Sequence, residues 1–328
     1  MGMVMTVFKA YDIRGIAGKE LDQDFAERLG RAIATHLDAK SVSVVRDIRE
    51  SSPSYHESFV SGLRSSGTDV IDLGISTTGV LYRSTVDLPV DVAVAITASH
   101  NPPEYNGLKI VLDGETLSGE AIQAIRQRIE EQDFTSGEGT MQSTEIIPDY
   151  IRRISDEIPV TLGNALKVVV DCGNSVPGIA APHILRAIGH DVIELYCDVD
   201  GNFPNHHPDP SDQKNLTDLI ETIQDEDADL GLAFDGDGDR LGVVDSQGNI
   251  IWPDRQMILF ARDVLSRNPG AKVIYDVKCS KLLADDITAN GGEAIIARTG
   301  HSLIKSKMQE TGALLAGCLI YTSDAADE

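Results

Sequence analysis

Two short stretches of this chain hold residues whose types and spacing could do chemistry. In residues 96–110, ITASHNPPEYNGLKI, an apolar run ends abruptly in Thr97, Ala98, Ser99, His100 and Asn101, before two prolines and an Asn-Gly. In residues 230–245, LGLAFDGDGDRLGVVD, a second apolar run ends in Asp235, Asp237 and Asp239, separated by glycines and followed by Arg240. A free serine is a weak nucleophile and needs an adjacent base or a prior modification. The nucleophile elbow of hydrolases requires glycines two residues either side of the serine; Thr97 and Asn101 stand there, which excludes it. His100 is next in sequence, and neighbours on a tight turn are expected to point apart, so no Ser/His pair is expected. A serine at the carboxyl end of a parallel strand still lies where α/β proteins bind ligands. The plain alternative is a turn with ordinary side-chain caps.

Alternation by two, with only glycines between, lets three carboxylates converge on one hard cation. Left unpaired they would repel, so a divalent ion resolves the arrangement, and Mg²⁺ suits a site that leaves positions for water or phosphate oxygens. A calcium-binding EF-hand loop from Asp235 would need Gly sixth and Glu twelfth; Arg240 and Ser246 occupy those places. A glycine-rich calcium repeat needs several copies, and there is one. The alternative is an acidic surface turn. Smaller pieces add polar and basic groups: Tyr11 and Arg14 in AYDIRG, Lys109 after the serine loop, Lys278 after a later strand, and His301 in RTGHS. Each read alone is a surface charge. The pair His206-His207 invites a metal reading, but no third ligand is suitably spaced.

These residues need elements to hold them. SVSVVRD (41–47), LKVVVDCGN (166–174) and AKVIYDVKCS (271–280) each run as β-branched apolar residues closing on an Asp, then a turn and a helical pattern. Short apolar strands alternating with amphipathic helices imply mainly parallel sheets with crossover helices. Phe25, Leu29, Ile33 and Leu37 recur every four residues and predict a helix over 22–38 with one buried stripe. Further helices are expected at 53–65, 118–131, 177–188, 212–225, 253–266 and 280–289. The fold class is therefore α/β, with tandem homologous domains, each a mainly parallel sheet with flanking helices. The polar, Gly/Ser-rich stretch 131–145 reads as a linker, and a second boundary falls near 245–254. The division is 1–143, 144–248 and 249–317, the third being incomplete.

At 328 residues the chain exceeds one small core. No apolar run reaches the roughly 20 residues of a membrane span, and the amino terminus lacks the basic flank and cleavage site of a secretory leader. The four cysteines, Cys172, Cys197, Cys279 and Cys318, are scattered without a Cys-x-x-Cys pair. That fits neither a zinc site nor a disulfide framework, and implies a reducing cytoplasm. A net charge of −24 argues against a nucleic-acid surface. An anionic ligand would have to be held by a local cluster of bases.

In order along the chain, AYDIRG, TASHNPPEYNGLKI, GNFPNHHPDP, DGDGDR, YDVKCS and TGHSLIKSKM resemble the α-D-phosphohexomutase family. The match is to its bacterial phosphomannomutase/phosphoglucomutase branch and spans residues 5–317; the phosphoglucosamine mutases differ in the serine loop. The resemblance implies a phosphoserine enzyme interconverting hexose 6-phosphate and hexose 1-phosphate, of mannose, glucose or both. It places the phosphoryl group on Ser99 and one Mg²⁺ on Asp235, Asp237, Asp239 and the Ser99 oxygen. Hexose 1,6-bisphosphate is the implied intermediate and activator. Arg14, Lys109 and Arg240 would offset charge on the transferring group, His100 and Asn101 would orient it, and either His100 or Lys109 would exchange the hydroxyl proton. Tyr11, Lys278 and His301 match positions near the sugar and its phosphate. Expected partners are hexose phosphates, with no nucleic acid or membrane, in a cytoplasmic monomer or weak dimer.

The likeness stops at TGALLAG. There the family continues with a Glu and a Ser-Gly-His loop that grips sugar hydroxyls, then a fourth domain; this chain reads CLIYTSDAADE. That ending resembles the translation of a sequencing-library transposon adapter, so 318–328 are expected to be non-native, domain 4 absent, and mutase activity of this polypeptide small or nil. Two rival readings remain from the residues: a non-catalytic metal or sugar-phosphate binder, and an aspartyl phosphotransferase of the haloacid-dehalogenase type. The latter wants Thr or Val where Asp239 stands.

Overall fold

A computed structural model describes residues 7–9, 12–112, 115–158 and 165–317. It divides into two compact units, residues 1–241 with 246–248, and residues 242–245 with 249–328. Along the first run β1 (Ile13–Ile16), α1 (Gln23–His36), β2 (Ser41–Arg46), α2 (Ser52–Ser65), β3 (Asp69–Ile75), α3 (Thr78–Asp87), β4 (Val92–Ile96) and β5 (Tyr105–Leu112). There follow β6 (Glu115–Thr116), α4 (Glu120–Glu131), β7 (Met141–Ser143), α5 (Ile147–Glu157), β8 (Lys167–Asp171), α6 (Ala181–Ala187), β9 (Asp191–Leu195), α7 (Thr217–Asp225) and β10 (Leu230–Phe234). The chain continues through β11 (Leu241–Asp245), β12 (Ile250–Ile251), α8 (Pro253–Arg267), β13 (Lys272–Asp276), α9 (Lys281–Ala289), β14 (Glu293–Ala297), α10 (His301–Thr311) and β15 (Leu315–Gly317).

The first sheet has the order β1-β5-β4-β2-β3-β7, with β6 beside β5. It is mixed. β2, β3, β4 and β7 run parallel, whereas β5 is antiparallel to β4 and to β1. The serine loop joins β4 to β5 as a hairpin connection, which reverses the chain where a crossover helix would have kept it parallel. β4 shows why this sheet is buried on both faces: Val92, Val94 and Ile96 pack into one core with Leu29, Ile33, Phe59 and Ile125, while Ala93 and Ala95 face Val80, Leu81 and Ile146. Alternate residues of a strand point to opposite faces, so one apolar run serves two helical layers. α1 and α2 meet backbone to backbone: a Cβ on Gly62 would lie 2.0 Å from the Glu27 carbonyl oxygen, and one on Gly30 2.3 Å from that of Phe59. Asp22 caps α1 by accepting from the Phe25 amide at 2.7 Å.

β9, β8 and β10 form the parallel part of a second sheet, with Asp171 opposite Leu195 and Ala233 opposite Asp171. In the second unit β11 pairs antiparallel with β12, and β13 lies between β14 and β15, all three parallel. α8 and α9 bury Met257, Ala261, Leu265, Leu283 and Ile287 against β13. No helix among the described residues is long and apolar enough to cross a membrane.

Several sequence expectations change. Residues 131–145 are not a loose linker: β7 pairs with β3, and Gly137 and Gly139 lie so close to Gly67 and Thr68 that no side chain would fit. The helices expected at 177–188 and 212–225 each begin with a 3-10 turn, at Val176–Ile179 and Gln213–Leu216. α3, α5 and α10 were not expected. α3 is rich in Thr and Val, poor helix formers, and is held by a Thr77 cap and by burial of Val80 and Leu81. The ending 318–328 lies outside the described residues.

Candidate active site

The site is assembled in the first unit from the ends of β4 and β10. Ser99 sits just past β4, buried at 2% exposure, with φ at +53°. That left-handed turn is unusual for a non-glycine residue. It folds the side chain back, so that Ser99 Oγ lies 3.1 Å from His100 Nδ1. The expectation that the two neighbours point apart is thus corrected, and the reason is the positive φ. Ser99 Oγ also donates to Asp235 Oδ2 at 2.8 Å, across 136 positions of sequence.

The Asp loop is a tight turn with its own scaffold. Asp235 Oδ1 accepts from the amides of Asp239 and Arg240 at 2.9 and 3.0 Å, which wraps the loop around that carboxylate. Lys109, on β5, bridges Asp237 and Asp239 at 2.6 Å each. Thr78, at the start of α3, donates its hydroxyl to Asp237 at 2.7 Å and its amide to the Asp237 carbonyl at 2.9 Å. Gly236 lies directly on the serine loop; a Cβ there would be 2.2 Å from the Ser99 carbonyl oxygen.

Charge in this pocket is strongly redistributed. Burial, with Asp237 and Asp239 nearby, pushes the Asp235 carboxyl well above its ordinary range. Burial would also raise Asp237, but the charge and hydrogen bond of Lys109, then Thr78, hold it well below. Burial works against the Lys109 ammonium, and the two carboxylates outweigh that and raise it. His100 is lowered to about 3 by burial and then by the cations Arg240 and Arg14, so its ring is neutral near pH 7. Its Nδ1 contacts Ser99 Oγ, whose own proton goes to Asp235. Asp235, Asp237 and Asp239 each turn an oxygen to one point, all within 4.8 Å of one another, and Asp237 Oδ1 is buried with no hydrogen-bond partner. An all-carboxylate set with an orphaned acceptor fits a hard divalent cation.

Of the other predicted residues, Arg14 on β1 donates to Asn101 Oδ1 at 2.6 Å and pairs with Asp12, leaving its buried Nε without a partner. Lys278 and His301 belong to the second unit: Lys278 follows β13, its amide on Asp276 Oδ1 at 2.5 Å, and His301 opens α10. Tyr11 lies outside the described residues. The His206-His207 pair holds no common ligand position. His207 donates to the His100 carbonyl, and His206 bonds both oxygens of buried Asp171 at 2.9 and 3.1 Å. Cys172 and Cys197, scattered in sequence, stand with sulfurs 3.3 Å apart on adjacent strand ends, both as thiols. Sequence reasoning missed Thr78, Gly236, the structural use of His207, and Arg49. Thr78 and Arg49 stand in no quoted motif, and Gly236 and His207, though inside DGDGDR and GNFPNHHPDP, matter through what the fold brings to them.

His206 gives a pH-dependent expectation. Burial acts to lower its pKa, but the hydrogen bond and charge of Asp171, the His207 carbonyl and Asp218 outweigh it, and the net direction is upward. A raised folded-state pKa contributes stability that is fully present below about pH 6.5 and is lost as pH rises through the folded value. The difference in urea midpoint between this chain and His206→Asn should therefore be widest in mild acid and shrink toward alkaline pH. A gap that is flat or widens with pH would contradict this.

Sequence models of the three phosphoglucomutase/phosphomannomutase alpha/beta/alpha domains match residues 5–136 (domain I), 148–248 (domain II) and 252–317 (domain III). The chain belongs to the phosphoglucomutase/phosphomannomutase family. Within the family it is 52% identical over 315 residues to a phosphomannomutase/phosphoglucomutase of Pseudomonas aeruginosa, covering 95% of this chain and 68% of that protein. It is 50% identical over 316 residues to a phosphoglucomutase of Neisseria gonorrhoeae, with the same coverage. A crystal structure of a phosphoglucomutase/phosphomannomutase family protein from Burkholderia thailandensis superposes with a TM-score of 0.92 at 47% identity, covering 96% of this chain and 70% of that one. The fold is that of tandem α/β/α phosphohexomutase domains, and the function is that of a hexose phosphate mutase, an isomerase of the phosphotransferase class. The aspartyl-phosphotransferase and non-catalytic readings are not borne out by these relatives.

Proposed function

We propose that Ser99 is the phosphoryl carrier of this mutase, that Asp235, Asp237 and Asp239 hold Mg²⁺ beside it, and that the substrates are hexose 6-phosphates and 1-phosphates. The observation that carries the reading is the 2.8 Å hydrogen bond between Ser99 Oγ and Asp235, which joins the serine loop to the only cation-fitting carboxylate group among the described residues. Bound there, Mg²⁺ would supply charge neutralisation at the transferring phosphoryl group. Arg14, through its unpartnered Nε, and Arg240 add positive charge at the same place. Asn101, fixed by Arg14, orients the group, while neutral His100 can accept the sugar hydroxyl proton and protonated Lys109 can donate one in the reverse direction.

In the reaction so read, the phosphoryl group passes from Ser99 to the free hydroxyl of a hexose monophosphate. The hexose 1,6-bisphosphate that results returns its other phosphoryl group to Ser99. Tyr11, Lys278 and His301 are the proposed sugar-side residues, the domain limits are 1–143, 144–248 and 249–317, and the setting is a cytoplasmic monomer or weak dimer. The test is intact-mass and peptide mapping of the purified chain after exposure to glucose 1,6-bisphosphate and Mg²⁺. One phosphoryl group on the peptide bearing Ser99 is expected; phosphate trapped on an aspartate, or none, overturns the reading.

A further inference from the structure

The left-handed φ of Ser99 raises a question its own side chain does not answer: what holds a non-glycine residue there? Such a conformation persists only where the surroundings over-determine it. Three of the carbonyls that follow β4, together with one at the start of β5, converge on a single buried group. Arg49 is 1% exposed. Its Nη2 donates to the Ser99 carbonyl at 2.7 Å and the Asn101 carbonyl at 2.8 Å. Its Nη1 donates to the Pro102 carbonyl at 2.6 Å and the Tyr105 carbonyl at 3.0 Å. Its Nε donates to Asp47 Oδ2 at 3.0 Å. All five guanidinium N–H groups are thereby used, four of them on the backbone of one loop.

The geometry points to Arg49 as a positioning residue that fixes the Ser99 peptide, and with it the direction of the phosphoryl-accepting oxygen. The proposal rests on the reading of Ser99 as phosphoryl carrier. Arg49 is itself rigidly seated. Asp47, at the end of β2, takes its Nε and also accepts from the Arg49 amide at 3.1 Å and from the Ser52 hydroxyl. The Phe203 ring centroid lies 5.7 Å from the guanidinium carbon, within cation–π range. Gly201 lies against Ile48 so closely that a Cβ would come within 2.2 Å of its carbonyl oxygen. The GNFPNHHPDP stretch thus acquires a use that its sequence does not announce. Phe203 backs the guanidinium while His207 takes the His100 carbonyl, the one between Ser99 and Pro102 that Arg49 does not. Only a planar fork with five donors can serve four carbonyls and a carboxylate at once; a lysine ammonium has three donors on one atom.

The experiment compares the parent chain with Arg49→Lys and Asp47→Asn. Two things are read: hydrogen exchange of the peptide spanning 99–106, and the rate of Ser99 phosphorylation by glucose 1,6-bisphosphate with Mg²⁺. In the second, the sugar O–P bond breaks, the Ser99 Oγ–P bond forms, and the hydroxyl proton passes to the leaving sugar oxygen. In Arg49→Lys, exchange of 99–106 should rise about tenfold, as expected when hydrogen bonds to a charged group are removed, with β2 and β4 unchanged. The phosphorylation rate at saturating bisphosphate should also fall about tenfold while the half-saturating concentration stays put, the split expected of a disturbed orientation. Unchanged loop exchange and rate would overturn the proposal. So would exchange rising equally through β2 and β4, which marks a merely structural role. Should Arg49→Lys fail to fold, Asp47→Asn, which keeps the arginine but weakens its seat, decides on the same readouts. If the parent takes no phosphate, the carrier reading falls, and the exchange of 99–106 still decides whether Arg49 holds the loop.

Discussion

Asp237→Asn is expected to weaken Mg²⁺ binding by at least about 100-fold, more than the usual cost of removing a group that supports a metal ligand. Titration calorimetry of the folded chain would measure it. Asp237 occupies the centre of the triplet. One oxygen is shared by Lys109 and Thr78, and the other is buried without a donor. Lys109 keeps the carboxyl ionised in spite of burial, so the group enters metal binding already charged. Asparagine preserves the shape but removes that charge, and it turns two N–H donors into a pocket built to present acceptors. The helix start at Thr78 keeps its bond to the residue 237 carbonyl, so the fold should survive. Lys109→Met should move the other way. The ammonium now neutralises Asp237 and Asp239 at 2.6 Å, and without it the triplet should bind Mg²⁺ more tightly, though phosphoryl transfer would suffer. Unchanged affinity in Asp237→Asn would mean that the cation sits elsewhere.

The two loops were legible in the sequence because each is self-contained. An apolar run that stops at Thr-Ala-Ser-His-Asn, and another that stops at three aspartates spaced by glycine, announce strand ends that bear chemistry. Their meeting was not legible from spacing, because Ser99 and Asp235 are joined only by the way two successive α/β domains pack; the family resemblance supplied it. The Ser99–His100 geometry was misread for a different reason. Neighbours point apart on an ordinary turn, and the sequence carries no sign that serine, not glycine, takes a left-handed φ. Arg49 was invisible as chemistry because its value lies in backbone carbonyls that no side-chain pattern encodes. The same holds for the strand directions. β4 reads as a parallel, doubly buried strand and is one, but β5 turns back antiparallel, because the serine loop closes a hairpin and not a crossover. The stretch 131–145 looked like a linker by composition, whereas Gly137 and Gly139, leading into β7, pass Gly67 and Thr68, just before β3, too closely for side chains.

Gly236→Ala should lower the rate of Ser99 phosphorylation by roughly 100-fold, the scale of a 1 Å misplacement at a reacting centre, although it removes no ligand and adds one methyl. The backbone conformation at Gly236 is open to alanine; space is what forbids it. A Cβ would stand 2.2 Å from the Ser99 carbonyl oxygen and 3.0 Å from its carbon, and backbone atoms cannot swing away as a flexible side chain can. The serine loop is not free to retreat either, since Arg49 holds the same carbonyl at 2.7 Å. The Asp loop must therefore give way by on the order of 1 Å, and the 2.8 Å hydrogen bond between Ser99 and Asp235 is the first to break. Gly74→Ala is the control. Gly74 has a φ of +67° with nothing within 4 Å of a built Cβ, so it costs strain of about 1–2 kcal/mol without moving either loop. The two variants should separate cleanly: Gly74→Ala lowers the thermal midpoint and phosphorylates at the parent rate, while Gly236→Ala stays folded and phosphorylates slowly. If Gly236→Ala kept the parent rate, the serine and aspartate loops would not act as one site, because a wedge between them would have gone unnoticed by the reaction.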